Sequence, residues 1–149
     1  MRARSKTKTQ NPEADLATLD FLGWARYQLS QEPLLKVRMA GNSMSPTITD
    51  DELMLIEPIT REKIAIGDII LYASLSDTAV IHRVLRLEET SSGSVIITRG
   101  DACDLDDVPA PSERVLGRVV SVERDGVAVA LSEPRRSWWQ RLLIRLRLK

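Results

Sequence analysis

The sequence predicts a mainly β domain with an N-terminal helix and a C-terminal amphipathic helix. Three observations lead there. Between Leu34 and Leu131, short runs rich in Val and Ile alternate with Gly, Pro, Asp and Ser, the pattern of strands and turns. No helix-length segment interrupts these runs, which argues against a parallel α/β sheet. Asp125-Gly126, set between Ser121–Arg124 and Val127–Leu131, is a strong two-residue hairpin signal.

The elements follow in order. Residues 1–10 are polar and basic and are expected to be disordered. Asn11-Pro12-Glu13 reads as a helix start, with an Asn cap, Pro at the first helical position and an acid in the first turn. The 11–33 segment is thus a helix to about Gln31, with Leu16, Leu19, Leu22 and Leu29 near one face, before Pro33 stops it. Asp15, Asp20 and Arg26 suit packing on a domain, not a membrane span. Residues 34–133 form the β domain. Its expected strands are Leu35–Ala40, Glu52–Glu57, Asp68–Ser74, Ala79–Leu87, Ser94–Arg99, Val115–Glu123 and Val127–Leu131. Residues 134–149 differ again. On a helical wheel Trp138, Trp139, Leu142, Leu143 and Leu146 share a ~140° arc, with Arg141, Arg145 and Lys149 beside it. Ile144 and Leu148 fall off that stripe. Such a helix suits an anionic membrane surface, and equally a place on its own domain or on a partner.

Composition narrows the function classes. The chain has 149 residues, room for one domain with an added helix or two, and a core resting on Ile, Leu and Val. No apolar run reaches the ~18 residues of a spanning helix. The opening MRARSKTKTQNPEAD has no apolar segment behind its charges. The expected location is therefore cytoplasmic, or peripheral at a membrane. One cysteine, Cys103, excludes an internal disulfide and a cysteine-built zinc site. Net charge is zero, but ten of the 21 basic residues lie in residues 1–9 and 135–149, leaving 11 against 21 acidic residues between them. An acidic body is a poor nucleic-acid platform, so none is expected as a partner.

Four stretches carry candidate chemistry: Gly41-Asn42-Ser43-Met44-Ser45-Pro46-Thr47, Gly67–Tyr72, Ile81-His82-Arg83-Val84, and Thr98-Arg99-Gly100-Asp101 followed by Asp104, Asp106 and Asp107. Together they supply a nucleophile, a base and carboxylates to orient the base. A serine hydroxyl needs a neighbouring base, and His82 is the only histidine. Strand alternation puts His82 on one face with Val80 and Val84, where a satisfied core histidine is the plainer reading. Ser43 could equally belong to a Pro-containing turn. The aspartates read by default as a solvated acidic loop, since the Gly and distant Glu of a calcium loop are missing. No metal or cofactor is expected.

In this joint order, G-x-S-M-x-P-T at 41–47, G-D-x-I at 67–70, H-R-V at 82–84 and G-D followed by D-D at 100–107 resemble the type I signal peptidase family. The resemblance spans about 41–120. Where the bacterial branch carries a lysine base this chain has His82, as in the archaeal and endoplasmic-reticulum branch. The resemblance implies a signal-peptidase/LexA-like antiparallel β fold and a serine endopeptidase that cuts after small residues in a leader or signal-like peptide. Ser43 would attack, His82 would act as base, and Asp107 or Asp101 would hold the imidazole or shape the site. The Ser43 backbone N–H would hold the oxyanion, and Met44 and Pro46 would line the substrate. Gly41 stands where some relatives add a hydroxyl donor. Leu35–Ala40 would be the edge strand that pairs with substrate. The competing readings are a LexA-type self-cleaving protease and a non-catalytic peptide-binding or membrane-docking adaptor.

Overall fold

The computed structural model describes residues 12–131. The expected basic tail at 1–10, the Asn11 cap and the C-terminal helix at 134–149 lie outside the described residues. Helix α1 (Pro12–Gln31) is followed by strands β1 (Leu35–Arg38), β2 (Leu53–Pro58), β3 (Ile69–Ala73), β4 (Ala79–Thr90), β5 (Gly93–Arg99), β6 (Ala110–Pro111), β7 (Val115–Arg124) and β8 (Val127–Ala130). Each of the seven expected strands forms, with no end shifted by more than three residues. The two-residue β6 was not expected, and its brevity and its proline explain why.

All pairings are antiparallel. The strand order is β1-β2-β7-β3-β4-β5-β6, with β8 also on β7. The sheet forms a half-barrel, as the mainly β expectation requires. Bulges at Leu55/Ile56, Leu71/Tyr72 and Val84/Arg86 interrupt the registers. An extra residue on one strand increases local twist, and this curls the sheet. At the β7–β8 turn Asp125 has φ 50° and Gly126 φ 76°. Two consecutive positive φ values define the turn type that matches strand twist, which is why Asp-Gly signals it.

Alternation sorts the side chains into two cores. One face carries Leu35, Val37, Met54, Ile56, Ile69, Leu71, Ala79, Ile81, Val119 and Val122, and α1 covers it with Leu22, Ala25 and Leu29. Each leucine so buried contributes roughly 1.5–3 kcal/mol. The other face carries Ile70, Tyr72, Val80, Val84, Ile96 and Ala110. His82 shares the parity of Val80 and Val84 and so points away from α1. Among the described residues no helix is long and apolar enough to cross a membrane.

The register of β4 depends on the Gly67-Asp68 turn. Gly67, at φ 93°, takes a conformation that side chains resist. Its N–H donates to the Val84 carbonyl at 2.8 Å, and the Val84 N–H returns a 2.8 Å bond to the Asp68 carbonyl. Asp68 closes the turn by accepting the Ala65 N–H at 2.9 Å. Ile70 is thereby set opposite His82.

Leu71 is fully buried between β4 and β7. Leu71→Ala is expected to lower the unfolding free energy by roughly 2–5 kcal/mol, because the centre of a sheet cannot collapse around the lost volume. Denaturant titration checks this as a lower midpoint at unchanged slope.

Candidate active site

Ser43 lies in the loop that leaves β1. Gly41 adopts φ 129°, open to glycine and not to side chains. Its N–H donates to Asp50 Oδ1 at 2.7 Å. The chain then turns on itself, with the Ser45 N–H on the Asn42 carbonyl at 3.1 Å and the Ile48 N–H on the Met44 carbonyl at 3.0 Å. Met44 and Ile48 are fully buried and pull the loop onto the first core. This corrects the expectation that Met44 lines the substrate. Its side chain anchors the Ser43 loop from below, and its Sδ accepts the Asp101 N–H at 3.4 Å. Pro46 is exposed.

His82, the fourth residue of β4, is 1% exposed. Its Nε2 lies 3.0 Å from Ser43 Oγ. Its Nδ1 is hydrogen-bonded to Asp107 Oδ2. Asp107 reaches the imidazole because the acidic loop folds back onto β5, where the Asp107 N–H donates to the Thr98 carbonyl at 2.8 Å. Both ring nitrogens thus have partners, which is what a histidine needs to be buried in a sheet. Among the described residues no hydrogen bond from the Ser43 N–H is found.

Asp101 does not meet His82. Its carboxylate accepts Arg83 Nε at 2.9 Å and Arg83 Nη2 at 2.8 Å, and Thr47 Oγ1 donates to it at 2.5 Å. Of the two aspartates offered for the imidazole, the geometry selects Asp107 and makes Asp101 a brace. The remaining acids have structural partners or solvent: Asp106 pairs with Arg86 at 3.2 Å and Arg99 at 3.6 Å, and Asp104 is exposed. Among the described residues no group of three or more His, Cys, Asp or Glu could hold a metal ion.

Two further contacts position Ser43. The Ala102 N–H donates to the Ser43 carbonyl at 2.9 Å. Gly100 lies so close that an added Cβ would stand 2.5 Å from the Ser43 carbonyl oxygen and 3.0 Å from His82 Nε2. The glycine of the fourth motif is therefore a spacing requirement. On the other side, Arg124 at the end of β7 donates to the carbonyls of Pro46 and Thr47 at 3.0 and 2.7 Å and to both oxygens of Glu52. Glu52 also accepts the Thr49 N–H at 2.6 Å.

The charges respond accordingly. The Arg124 hydrogen bonds outweigh burial and hold the Glu52 carboxyl well below its ordinary value, down to about 2. Burial pushes the Asp101 carboxyl up, but the bonds from Arg83 and Thr47 overcome this and leave it lowered.

Sequence reasoning assigned no role to Tyr72, Thr98, Arg124 or Glu52. Tyr72 and Thr98 do share a face with His82, a signal available from alternation once the strand register is known. Arg124 and Glu52 are 72 residues apart, and nothing local links them.

A curled antiparallel sheet that sets a serine hydroxyl on a histidine has the build of a serine-peptidase-like domain. A family model described as Peptidase S24-like matches residues 6–120, and the chain belongs to that family. It is thereby placed in the wider group of LexA-type and signal-peptidase-like domains. No curated protein matches the sequence.

Two predictions follow from the clamps. Gly100→Ala is expected to reduce peptide cleavage by on the order of a hundredfold, because its Cβ displaces the Ser43–His82 pair. Circular dichroism of the same sample checks that the sheet is retained. Glu52, with its carboxyl lowered in the folded state, adds stability that is fully present above its ordinary value of 4.5 and is lost as pH falls toward about 2. Glu52→Gln should therefore be less stable than the parent at pH 7. The difference should shrink across the window from about 4.5 to about 2, measured by denaturant unfolding at several pH values.

Proposed function

We propose that this protein is a signal-peptidase-like serine endopeptidase working through Ser43, His82 and Asp107. One observation carries the reading: Ser43 Oγ, the two imidazole nitrogens and Asp107 Oδ2 form one continuous hydrogen-bonded line. Ser43 donates its proton to Nε2 as Oγ attacks the peptide carbonyl. Asp107 holds the Nδ1–H and stabilises the imidazolium that forms. The Ser43 N–H binds the tetrahedral oxyanion. The imidazolium returns its proton to the leaving amine, and water, deprotonated by the same ring, releases the acyl group.

The substrate is an extended leader-like peptide with small residues before the cut. β1 supports this, because it is an edge strand that runs directly into the nucleophile loop and can accept another strand. The 3.0 Å Ser43–His82 contact favours catalysis over a peptide-binding adaptor, which would not need it. Self-cleavage at Ala40-Gly41 fits poorly, because Asp50 holds the Gly41 N–H two residues before the nucleophile. The composition of 135–149 suits docking at an anionic surface, where such substrates emerge.

The test is cleavage of a soluble peptide with Ala at the first and third positions before the cut. Ser43→Ala and His82→Ala should each lower kcat/KM by roughly 10⁴-fold. The double variant should be little worse than either, since residues acting as a unit are not additive. The parent rate should climb with pH as an imidazole loses its proton, and not wait for the alkaline range of a lysine. Near-parental turnover by His82→Ala would remove the base from this reading.

A further inference from the structure

Building on the Ser43–His82–Asp107 reading, we propose that Thr98 and Tyr72 are positioning residues that set the direction of every proton in the active-site line. Thr98 is 1% exposed and Tyr72 2%. Thr98 Oγ1 lies 2.7 Å from Asp107 Oδ2. The Tyr72 hydroxyl lies 2.8 Å from Thr98 Oγ1 and 3.5 Å from the same carboxylate oxygen.

Donor arithmetic fixes the order. An ionised carboxylate only accepts, and each hydroxyl has a single proton. Thr98 therefore donates to Asp107. Its proton is then committed, so Thr98 Oγ1 can only accept from Tyr72. From the other end, Ser43 donates to Nε2 and Nδ1 donates to Asp107. The two halves of the line meet head-on at Oδ2. Donors on the carboxylate favour its charged form. The ring is held in the tautomer that leaves Nε2 free to take the serine proton.

The surrounding loop shows why this clasp matters. Asp104, Leu105, Asp106, Val108 and Pro109 are exposed, with Leu105 82% and Val108 73%. The acid thus stands on a segment with little burial of its own. Thr98 holds it twice, by the backbone bond from the Asp107 N–H at 2.8 Å and by the side-chain bond at 2.7 Å. Tyr72 in turn orients the Thr98 hydroxyl. Both side chains are buried and act through Asp107.

The experiment compares Thr98→Val, Thr98→Ser and Tyr72→Phe in the full chain by two readouts. Because the chain has one histidine, its Nδ1 proton gives a single imidazole N–H resonance in proton NMR. The parent should show it far downfield, as bonded to a carboxylate. Thr98→Val should move or broaden it, and Thr98→Ser should restore it. On the Ala-x-Ala peptide, Thr98→Val should lower kcat by on the order of tenfold, the scale of one hydrogen bond to a charged group. KM should stay within about twofold, because ground-state binding is untouched. Tyr72→Phe should fall between Thr98→Ser and Thr98→Val in both readouts. An unchanged resonance and kcat in Thr98→Val, or Thr98→Ser as impaired as Thr98→Val, would overturn the proposal. Failure of the peptidase reading would look different: parent and Ser43→Ala would be equally inactive, while the NMR arm would still decide on the proton order.

Discussion

The two parallel hydrogen bonds between Arg83 and Asp101 are the constraint on which the site depends. Arg83 follows His82 on β4, and Asp101 follows Gly100, which lies against Ser43. The same carboxylate accepts Thr47 from the nucleophile loop, and the same guanidinium donates to the Gly67 carbonyl at 2.9 Å. All four sequence motifs therefore meet at one planar ion pair. A fork of donors facing a carboxylate specifies distance and angle together, which a point charge does not. Ser43, His82 and Asp107 form the hydrogen-bonded line, and the motif residues beside them hold its geometry.

His82 illustrates how a polar group is kept inside a sheet. An unpartnered buried imidazole would cost the desolvation of its nitrogens. Here each nitrogen is matched to a group from a different segment, Ser43 from the loop after β1 and Asp107 from the loop after β5. Being a satisfied core histidine is therefore compatible with the role of base proposed for this position. Burial that demands two partners also aligns a proton path between them.

The half-barrel explains why these segments converge. The Ser43 loop is anchored into the α1-covered core by Met44 and Ile48, whereas His82 belongs to the opposite face. In a flat sheet the two would be separated by the sheet itself. The bulges at Leu55/Ile56, Leu71/Tyr72 and Val84/Arg86 increase the curl. Gly100 then lets backbone approach where any side chain would intrude.

Alternation, turn residues and helix-start signals were enough to place α1, seven strands, the Asp125-Gly126 hairpin and the face that His82 occupies, because each rests on interactions within a few residues along the chain. The pairing of Ser43 with His82 came from the joint order of four motifs and the family resemblance they carry, because on local pattern alone the one reads as a turn residue and the other as a core histidine. What the sequence could not decide was which aspartate meets the ring, whether Met44 faces substrate or core, and which groups clamp the nucleophile loop. Asp101 and Asp107 are chemically identical and six residues apart in one acidic run, and only the fold of that run onto Thr98 separates them. Met44 turns inward because the loop must bury an apolar anchor. Arg124 reaches Glu52, Pro46 and Thr47 only because β7 lies beside β2. Those choices depend on strand order and curvature, which bring together groups up to 78 residues apart, and no local pattern encodes a contact at that range.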